Sequence, residues 1–317
     1  MGGPEVQKNG PSEAASQQAA PLLRGQHSQF QPFRYPAAST RERLIALCRF
    51  LSFLLIFAVI EWLLGFLMGP EFHSKHSSII EQAIMAEAAL LAGALLATAI
   101  LSRLEGRRFL SYGLADSRRG RRFAAGAFWG FLSLTIFLGC LRIAGHFYFG
   151  TPTLPPTQIF HFAFLFVIVF LLVGLAEETV FRGYALFTLA EAVGFWPAAV
   201  ILAALFSLAH AHNGGESGFG IAAAGIFGFV ISLSVLRSGS LWWAIGFHFM
   251  WDYSQSFIYG VADSGAVLPG HFLSAKFSGP AWITGGSVGP EGSYFILLVL
   301  LGLALVIHFT LPARRHS

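Results

Sequence analysis

Two adjacent glutamates and an arginine follow a long apolar run in this chain. The run FHFAFLFVIVFLLVGL (160–175) continues into AEETVFRG (176–183), which holds Glu177, Glu178 and Arg182. Glu178 and Arg182 are four residues apart, so on a helix they lie on one face and can form an ion pair. Glu177 projects about 100° away from Glu178 on a helix. It is therefore left to face side chains on other segments.

Two later apolar segments supply candidates for those side chains. His210 ends FSLAH (206–210), and HFMWD (248–252) carries His248 and Asp252 on one helical face. A Glu or His that activates water, with donors aimed at a developing oxyanion, is the minimum equipment for amide hydrolysis. Alternatively, His210, His248 and Asp252 could bind Zn²⁺, with Glu177 as the base. The sequence contains no HExxH motif of the zincin type.

The composition indicates that these residues lie within a membrane. The chain is 55% hydrophobic and 11% charged, with a mean hydropathy of +0.64. So few charges cannot cover a water-facing surface. We predict an all-α, polytopic membrane protein with about eight transmembrane helices, in contact with the lipid bilayer. The predicted spans are 44–68, 79–102, 123–145, 160–186, 196–212, 219–237, 241–259 and 293–311.

Positive charges predict the orientation. Seven arginines lie in the 103–122 segment between the second and third spans, whereas Lys75 and Lys276 are the only basic residues on the opposite side. Cytoplasmic segments carry the excess of Lys and Arg, so we place both termini in the cytoplasm and the protein in the cell membrane. The same rule accounts for the arginine cluster without nucleic-acid binding.

We divide the chain into four regions. Residues 1–40 are polar and Pro/Gly-rich and are expected to be a disordered cytoplasmic tail. Residues 44–145 hold helices 1–3 with the basic 103–122 loop, 160–260 hold the core helices 4–7, and 261–317 hold an outer loop and helix 8. The small-residue runs at 126–130 and 222–228 predict close helix packing.

The three polar motifs resemble a known family. EETVFR (177–182), FSLAH and HFMWD are similar, in that order, to the EExxxR, FxxxH and HxxxN/D signatures of the CPBP family. That family comprises the type II CAAX prenyl proteases and the bacteriocin-processing and self-immunity (Abi) proteins. The resemblance covers about 160–260 and implies an intramembrane endopeptidase acting on a membrane-associated or prenylated peptide or protein.

By that resemblance, Glu177 activates water with help from His210, while His248 and Asp252 stabilise the oxyanion. It also implies supporting roles for Glu178, Arg182 and Phe206. Members are often labelled metalloproteases, but the family's structural picture favours a metal-free mechanism. We therefore expect no cofactor, with Zn²⁺ as the alternative. Many members carry Asn where this chain has Asp252; an ionised Asp cannot donate to an oxyanion, so Asp252 is either protonated or accepts from the ring N–H of His248.

Other functions stay open on the sequence alone. The same polar residues could relay protons in a transporter, or could persist in a non-catalytic scaffold or immunity protein. If Glu177, His210 and His248 meet, helix depths predict a cavity that opens toward the cytoplasm or the inner leaflet. A second, scattered set of ionisable residues lies in or beside the spans and has no assigned partners: Glu61, Glu81, Glu87 and Arg142.

Overall fold

A computed structural model describes Gly2, residues 39–72 and residues 78–311. The helices belong to the compact unit Pro32–Ser317. The structure is 74% helical with almost no strand, which confirms the predicted all-α membrane fold. The predicted tail at 1–40 lies almost entirely outside the described residues.

Each predicted span is helical. The long helices are α1 (Thr40–Phe72), α2 (Ile79–Leu104), α3 (Arg119–Ile143), α4 (Pro156–Arg182) and α7 (Gly218–Ser238). The shorter ones are α5 (Tyr184–Val193), α6 (Phe195–His210), α8 (Trp242–Tyr253), α9 (Ala281–Thr284) and α10 (Ile296–Thr310). A π-helical segment, Ser254–Tyr259, prolongs α8. Two short strands, β1 (Phe147–Tyr148) and β2 (Lys276–Phe277), pair antiparallel, with Phe147 opposite Phe277.

Five helical stretches of the described chain are long and apolar enough to cross a membrane. They are Thr40–Gly69, Ile79–Leu104, Arg119–Ile143, Pro156–Val193 and Gly218–Ser238. The predicted spans at 196–212 and 293–311 are the shorter apolar helices α6 and α10. The predicted fourth span ran to 186, but α4 ends at Arg182, because the backbone of Gly183 leaves helical geometry (ψ −129°) before α5 begins at Tyr184. Only glycine fits this break, since a Cβ at Gly183 would overlap the carbonyl oxygen of Thr179.

Glycines bring α8 into close contact with two neighbouring helices. A Cβ at Gly126 or Gly130 of α3 would overlap the α8 carbonyl oxygens of Trp243 and Phe247. On α4, a Cβ at Gly174 would lie 3.1 Å from the Ile245 carbonyl oxygen. In the second predicted run, a Cβ at Gly225 of α7 would lie 3.1 Å from Ser207 of α6. The close packing predicted for both small-residue runs is therefore present.

The described connecting segments, together with the short helix α5, lie at two opposite ends of the helices. The arginine end comprises 103–122, 184–194 and 238–242; there Leu241 N donates to the Gly113 carbonyl, and Arg107 pairs with Glu191 at 2.7 Å. The loop end comprises 144–155, 211–217 and 260–295; there Ser287 Oγ donates to the Gly215 carbonyl at 2.8 Å. Helix α4 runs from the loop end to the arginine end, and α6 returns.

Candidate active site

Glu178 joins two of the three sequence motifs. Its side chain is fully buried, and its Oε1 accepts from Arg182 Nη1 at 3.1 Å, one helical turn away. The same oxygen accepts from His248 Nδ1 on α8 at 3.0 Å. The predicted ion pair of Glu178 and Arg182 is therefore present. Since an ionised carboxylate can only accept, the proton on this side of the imidazole is on Nδ1.

Arg182 is held against the second motif. Its guanidinium carbon lies 4.4 Å from the ring centroid of Phe206 on α6, a cation–π distance. Gly228 on α7 leaves room for the guanidinium, because a Cβ there would lie 2.7 Å from Arg182 Nη2. The side chain of Arg182 is 1% exposed. Phe206 and Gly228 thus fix a buried cation that neutralises Glu178 beside the imidazole.

The second ring nitrogen of His248, Nε2, lies near two carboxylates. His248 Nε2 lies 3.5 Å from Glu177 Oε2 and 3.5 Å from Asp252 Oδ2. The sequence offered Asp252 as the group that accepts from the ring; here Glu178 accepts from Nδ1, while Asp252 stands near Nε2 with Glu177. Glu177 Oε2 is buried and has no hydrogen-bond partner among the described residues. Glu178 Oε2 likewise has no hydrogen-bond partner among the described residues, but only Glu177 lines the cavity and is available for chemistry there.

His210 shares the cavity with Glu177 but does not touch it. Its Nδ1 donates to the carbonyl of Phe206, one turn earlier, at 2.9 Å, and its ring centroid lies 4.4 Å from the Phe206 ring. Within the described part of the chain no ion pair joins His210 to Glu177. The remaining ring nitrogen of His210 is an acceptor in this tautomer. Any assistance to Glu177 therefore requires an intervening water.

Glu177, His210, His248 and Asp252 line a cavity of about 290 Å³. Much of its lining is apolar, including Val169, Phe170 and Val173 from α4 and Leu300 and Leu303 from α10. The lining also carries six carboxyl groups beside the two histidines: Glu87, Glu177, Glu216, Asp252, Asp263 and Glu291. An apolar wall beside polar groups is the usual composition of a ligand site.

Three of the carboxyl groups meet at the loop end. One oxygen from each of Asp252, Asp263 and Glu291 lies within 4.8 Å of the others. Burial raises the pKa of Asp263, and the charges of Asp252 and Glu291 raise it further. Glu291 accepts from Trp251 Nε1 at 3.1 Å and from the backbone N–H of Ser264 at 2.9 Å. Hard cations prefer such oxygen ligands, but the cluster alone demonstrates only concentrated negative charge.

The predicted zinc ligands do not form a comparable group. Among the described residues, donor atoms of His210, His248 and Asp252 are not gathered within the 4.8 Å that unites the three carboxyl groups. The bonds of His248 Nδ1 to Glu178 and of His210 Nδ1 to a backbone carbonyl are compatible with metal binding through Nε2. The separation of the donor atoms is therefore what keeps these three residues, as they are placed, from fitting a zinc centre.

The cavity lies on the side of the loop end. Asn213, Glu216, Asp263 and Glu291 belong to segments of that end and complete its wall. Two predictions from the sequence are therefore incompatible: a cavity that opens toward the cytoplasm or the inner leaflet, and a cytoplasmic location of the arginine end. Helix-depth arithmetic omitted the segments 211–217 and 260–295, which fold over the site.

Sequence reasoning missed several residues of the cavity. Asp263 and Glu291 lie in a Gly- and Pro-rich segment that we expected to be an outer loop, with no motif to single them out. Glu87 belonged to the scattered set, although its α2 position faces Glu177 and His248 closely enough for their charges to interact. For Glu87 the sequence does offer one signal of function, because it is an ionisable residue within a membrane span.

Helix α4 thus supplies an available carboxylate and a buried ion pair, α8 an imidazole oriented by that pair, and α6 a second imidazole in the same cavity, an arrangement that defines a candidate intramembrane hydrolase. Residues 159–254 match the family model described as Type II CAAX prenyl endopeptidase Rce1-like. The match covers about a third of the chain and confirms the resemblance for this stretch, which is consistent with a CPBP family intramembrane protease. No curated protein and no solved structure matches the chain.

Proposed function

We propose that the protein is a glutamate-dependent intramembrane endopeptidase in which Glu177 activates the water. The observation that carries this proposal is the difference in surroundings between the adjacent residues Glu177 and Glu178. Glu178 Oε1 is bonded to Arg182 and His248, and Glu178 does not line the cavity. Glu177 does line it, and its Oε2, without a hydrogen-bond partner among the described residues, lies 3.5 Å from His248 Nε2. A general base needs this combination of access and an oriented neighbour.

In the proposed reaction, Glu177 takes a proton from water as the water oxygen attacks the scissile carbonyl carbon. His248 acts in its doubly protonated form, in which both ring nitrogens donate. Its Nδ1–H stays on Glu178, and its Nε2–H donates to the oxyanion. Asp252 provides a counter-charge beside Nε2, which resolves its replacement of Asn without requiring it to donate. His210 assists Glu177 through a bridging water.

The substrate we propose is a peptide held at the membrane by an apolar group. The apolar lining residues, among them Val169, Phe170 and Leu303, suit such a group, which in a CAAX-type substrate is a prenyl chain. The carboxyl groups of the lining can bind the uncharged peptide backbone around the scissile bond. They disfavour a free carboxylate of the substrate at the same place, because like charges repel in a confined site. The proposal includes no cofactor, and no step passes through Zn²⁺.

The test is peptide cleavage by purified protein in detergent. Wild type, Glu177→Gln and Glu61→Gln are incubated with a fluorogenic prenylated CAAX peptide and with unmodified peptides, with and without a strong chelator. Glu61 is a suitable control, because its Oε1 is buried without a hydrogen-bond partner but it does not line the cavity. We expect cleavage by wild type and Glu61→Gln and at least about a 10³-fold loss in Glu177→Gln.

Each other outcome contradicts a stated part of the proposal. Activity that a chelator removes and Zn²⁺ restores would overturn the metal-free mechanism. Full activity in Glu177→Gln would overturn the assignment of the base. Absence of cleavage, combined with Glu177-dependent proton flux in liposomes, would replace the endopeptidase with a proton-coupled transporter, and absence of both would favour a scaffold.

A further inference from the structure

Glu87 lies in the catalytic cavity but has no part in the reaction as described. With Ala83, one turn earlier, it is the contribution of α2 to the cavity wall. The adjacent helix α4 contributes Val169, Phe170, Val173 and Glu177 to the same cavity. The charges of Glu177, His248 and Glu61 all act on Glu87.

The Glu87 carboxyl group has no structural partner that explains it. Its Oε2 is buried and lacks a hydrogen-bond partner among the described residues. An ionisable side chain is unfavourable to insert in a membrane span, so such residues almost always face the bundle interior or a water-filled cavity and mark functional sites. Apolar, water-poor surroundings favour the neutral form of a carboxyl group, and a neutral carboxyl group is a proton donor.

We infer that Glu87 is a second catalytic residue, the general acid that protonates the leaving amine. This inference rests on the proposed endopeptidase function. Amide hydrolysis requires a donor, because an unprotonated amide anion is a very poor leaving group, whereas an activated phenolate leaves without a proton. His248 donates to the oxyanion, and Glu177 holds the proton that it took from the water. Glu87 is a further acid in the lining of the same cavity, and its charge interacts with both residues.

The proton count closes over one turnover. Glu177 accepts one proton from water while the C–O bond forms. When the C–N bond breaks, its electron pair goes to nitrogen, which takes the proton of the Glu87 carboxyl group. The proton held by Glu177 then passes through cavity water to the Glu87 carboxylate. Both glutamates return to their initial states, and water has been divided between the carboxylic acid and the amine.

The experiment compares two leaving groups with the same acyl part. The peptide that wild type cleaves is paired with the 4-nitrophenyl ester of its acyl half, and kcat is measured for wild type, Glu87→Gln, Glu87→Asp and Glu81→Gln. Glu81 is the control, because it lies on α2 outside the cavity lining and Gln can replace Glu in its capping box with Ser78. We expect Glu87→Gln to lose about 10²-fold on the peptide and less than about threefold on the ester. Glu87→Asp should recover part of the peptide activity, because it retains a carboxyl group. The contribution of Glu87 to the alkaline limb of the kcat–pH profile should be lost in Glu87→Gln, which leaves the limb produced by deprotonation of His248.

The alternatives give different patterns. Equal losses on peptide and ester, or no loss on the peptide, would overturn the general-acid role. Because Gln is isosteric with Glu, thermal unfolding and gel filtration should match wild type; a misfolded Glu87→Gln protein would lose both activities, and the inference would then be decided by Glu87→Asp. Failure of the endopeptidase function itself is distinguishable, since wild type would then cleave no peptide and Glu177→Gln would change nothing.

Discussion

The role that each residue can take in this site depends on its hydrogen-bond partners. Glu177 and Glu178 are adjacent in sequence, yet Glu178 accepts hydrogen bonds from Arg182 and His248, whereas Glu177 lines the cavity and accepts from neither. The helical offset of 100° produces this difference. The pairing with Arg182 could be predicted from the four-residue spacing. The bond from Glu178 to His248 could not, because it depends on how α4 and α8 are positioned.

The buried pair yields a prediction about stability. Glu178→Leu leaves Arg182 buried without its carboxylate, so we expect the free energy of unfolding to fall by about 3–5 kcal/mol. The double variant Glu178→Leu/Arg182→Met removes both charges and should recover most of that loss, yet stay inactive because His248 Nδ1 has no acceptor. Thermal unfolding in detergent and peptide turnover measure the two effects. A single variant as stable as wild type would contradict the pairing.

Asp263 yields a prediction about pH. Its pKa is raised by burial and by Asp252 and Glu291, so the folded protein binds this proton more tightly than the unfolded chain. The resulting stability is complete below the ordinary aspartate pKa of about 3.9 and is lost as pH rises through the raised pKa. Asp263→Asn retains an acceptor for Ser256 Oγ, which donates to Asp263 at 3.0 Å, but cannot ionise.

We therefore expect Asp263→Asn to unfold at a higher temperature than wild type at pH 8, by roughly 2–4 °C. The difference should shrink as pH falls and vanish below the ordinary aspartate pKa of about 3.9, where Asp263 is protonated in both states. Thermal unfolding from about pH 3 to pH 8 measures it. A constant offset across this range would show that the substitution acts by packing and not by charge.

At the scale of elements, the positions of the helices could be predicted from the long apolar runs. Their close packing could be predicted from the small residues. All eight predicted segments are helical, because long apolar runs must satisfy their backbone hydrogen bonds internally. Hydropathy did not separate α5 from α4, since the break depends on the single residue Gly183. Nor did it predict the fold of 260–295, whose contacts with 211–217 join distant parts of the chain and leave no periodic signal.

Two glycines of α3 provide a matched test of helix packing. A Cβ at Gly130 would overlap the Phe247 carbonyl oxygen of α8, whereas nothing lies within 4 Å of a Cβ at Gly139. We expect Gly130→Ala to destabilise the protein by about 1–3 kcal/mol through overpacking and to reduce turnover, because α8 carries His248. Gly139→Ala should be neutral or stabilising by up to about 1 kcal/mol, since Ala favours helix. Equal effects in unfolding and turnover assays would refute close α3–α8 contact.

For the whole molecule, the question is which side of the membrane the cavity faces. Exposed apolar side chains such as Trp62 and Phe66 on α1, which are 70% and 71% exposed, are suited to lipid and do not distinguish the two sides. The charge pattern does, because the arginine end carries the excess of basic residues expected in the cytoplasm. The cavity is completed by segments of the loop end, so the site should be reached from the outer side.

Cysteine labelling tests this orientation directly. The native Cys48 and Cys140 are free and exposed, so both are first replaced by serine. Ser287 of the loop end and Ser117 of the arginine end are exposed, and each is then changed singly to cysteine. In intact cells a membrane-impermeant maleimide should label Ser287→Cys, while Ser117→Cys should react only after permeabilisation. The reverse pattern would place the loop end in the cytoplasm, and the cavity would then receive peptides from the cytosol.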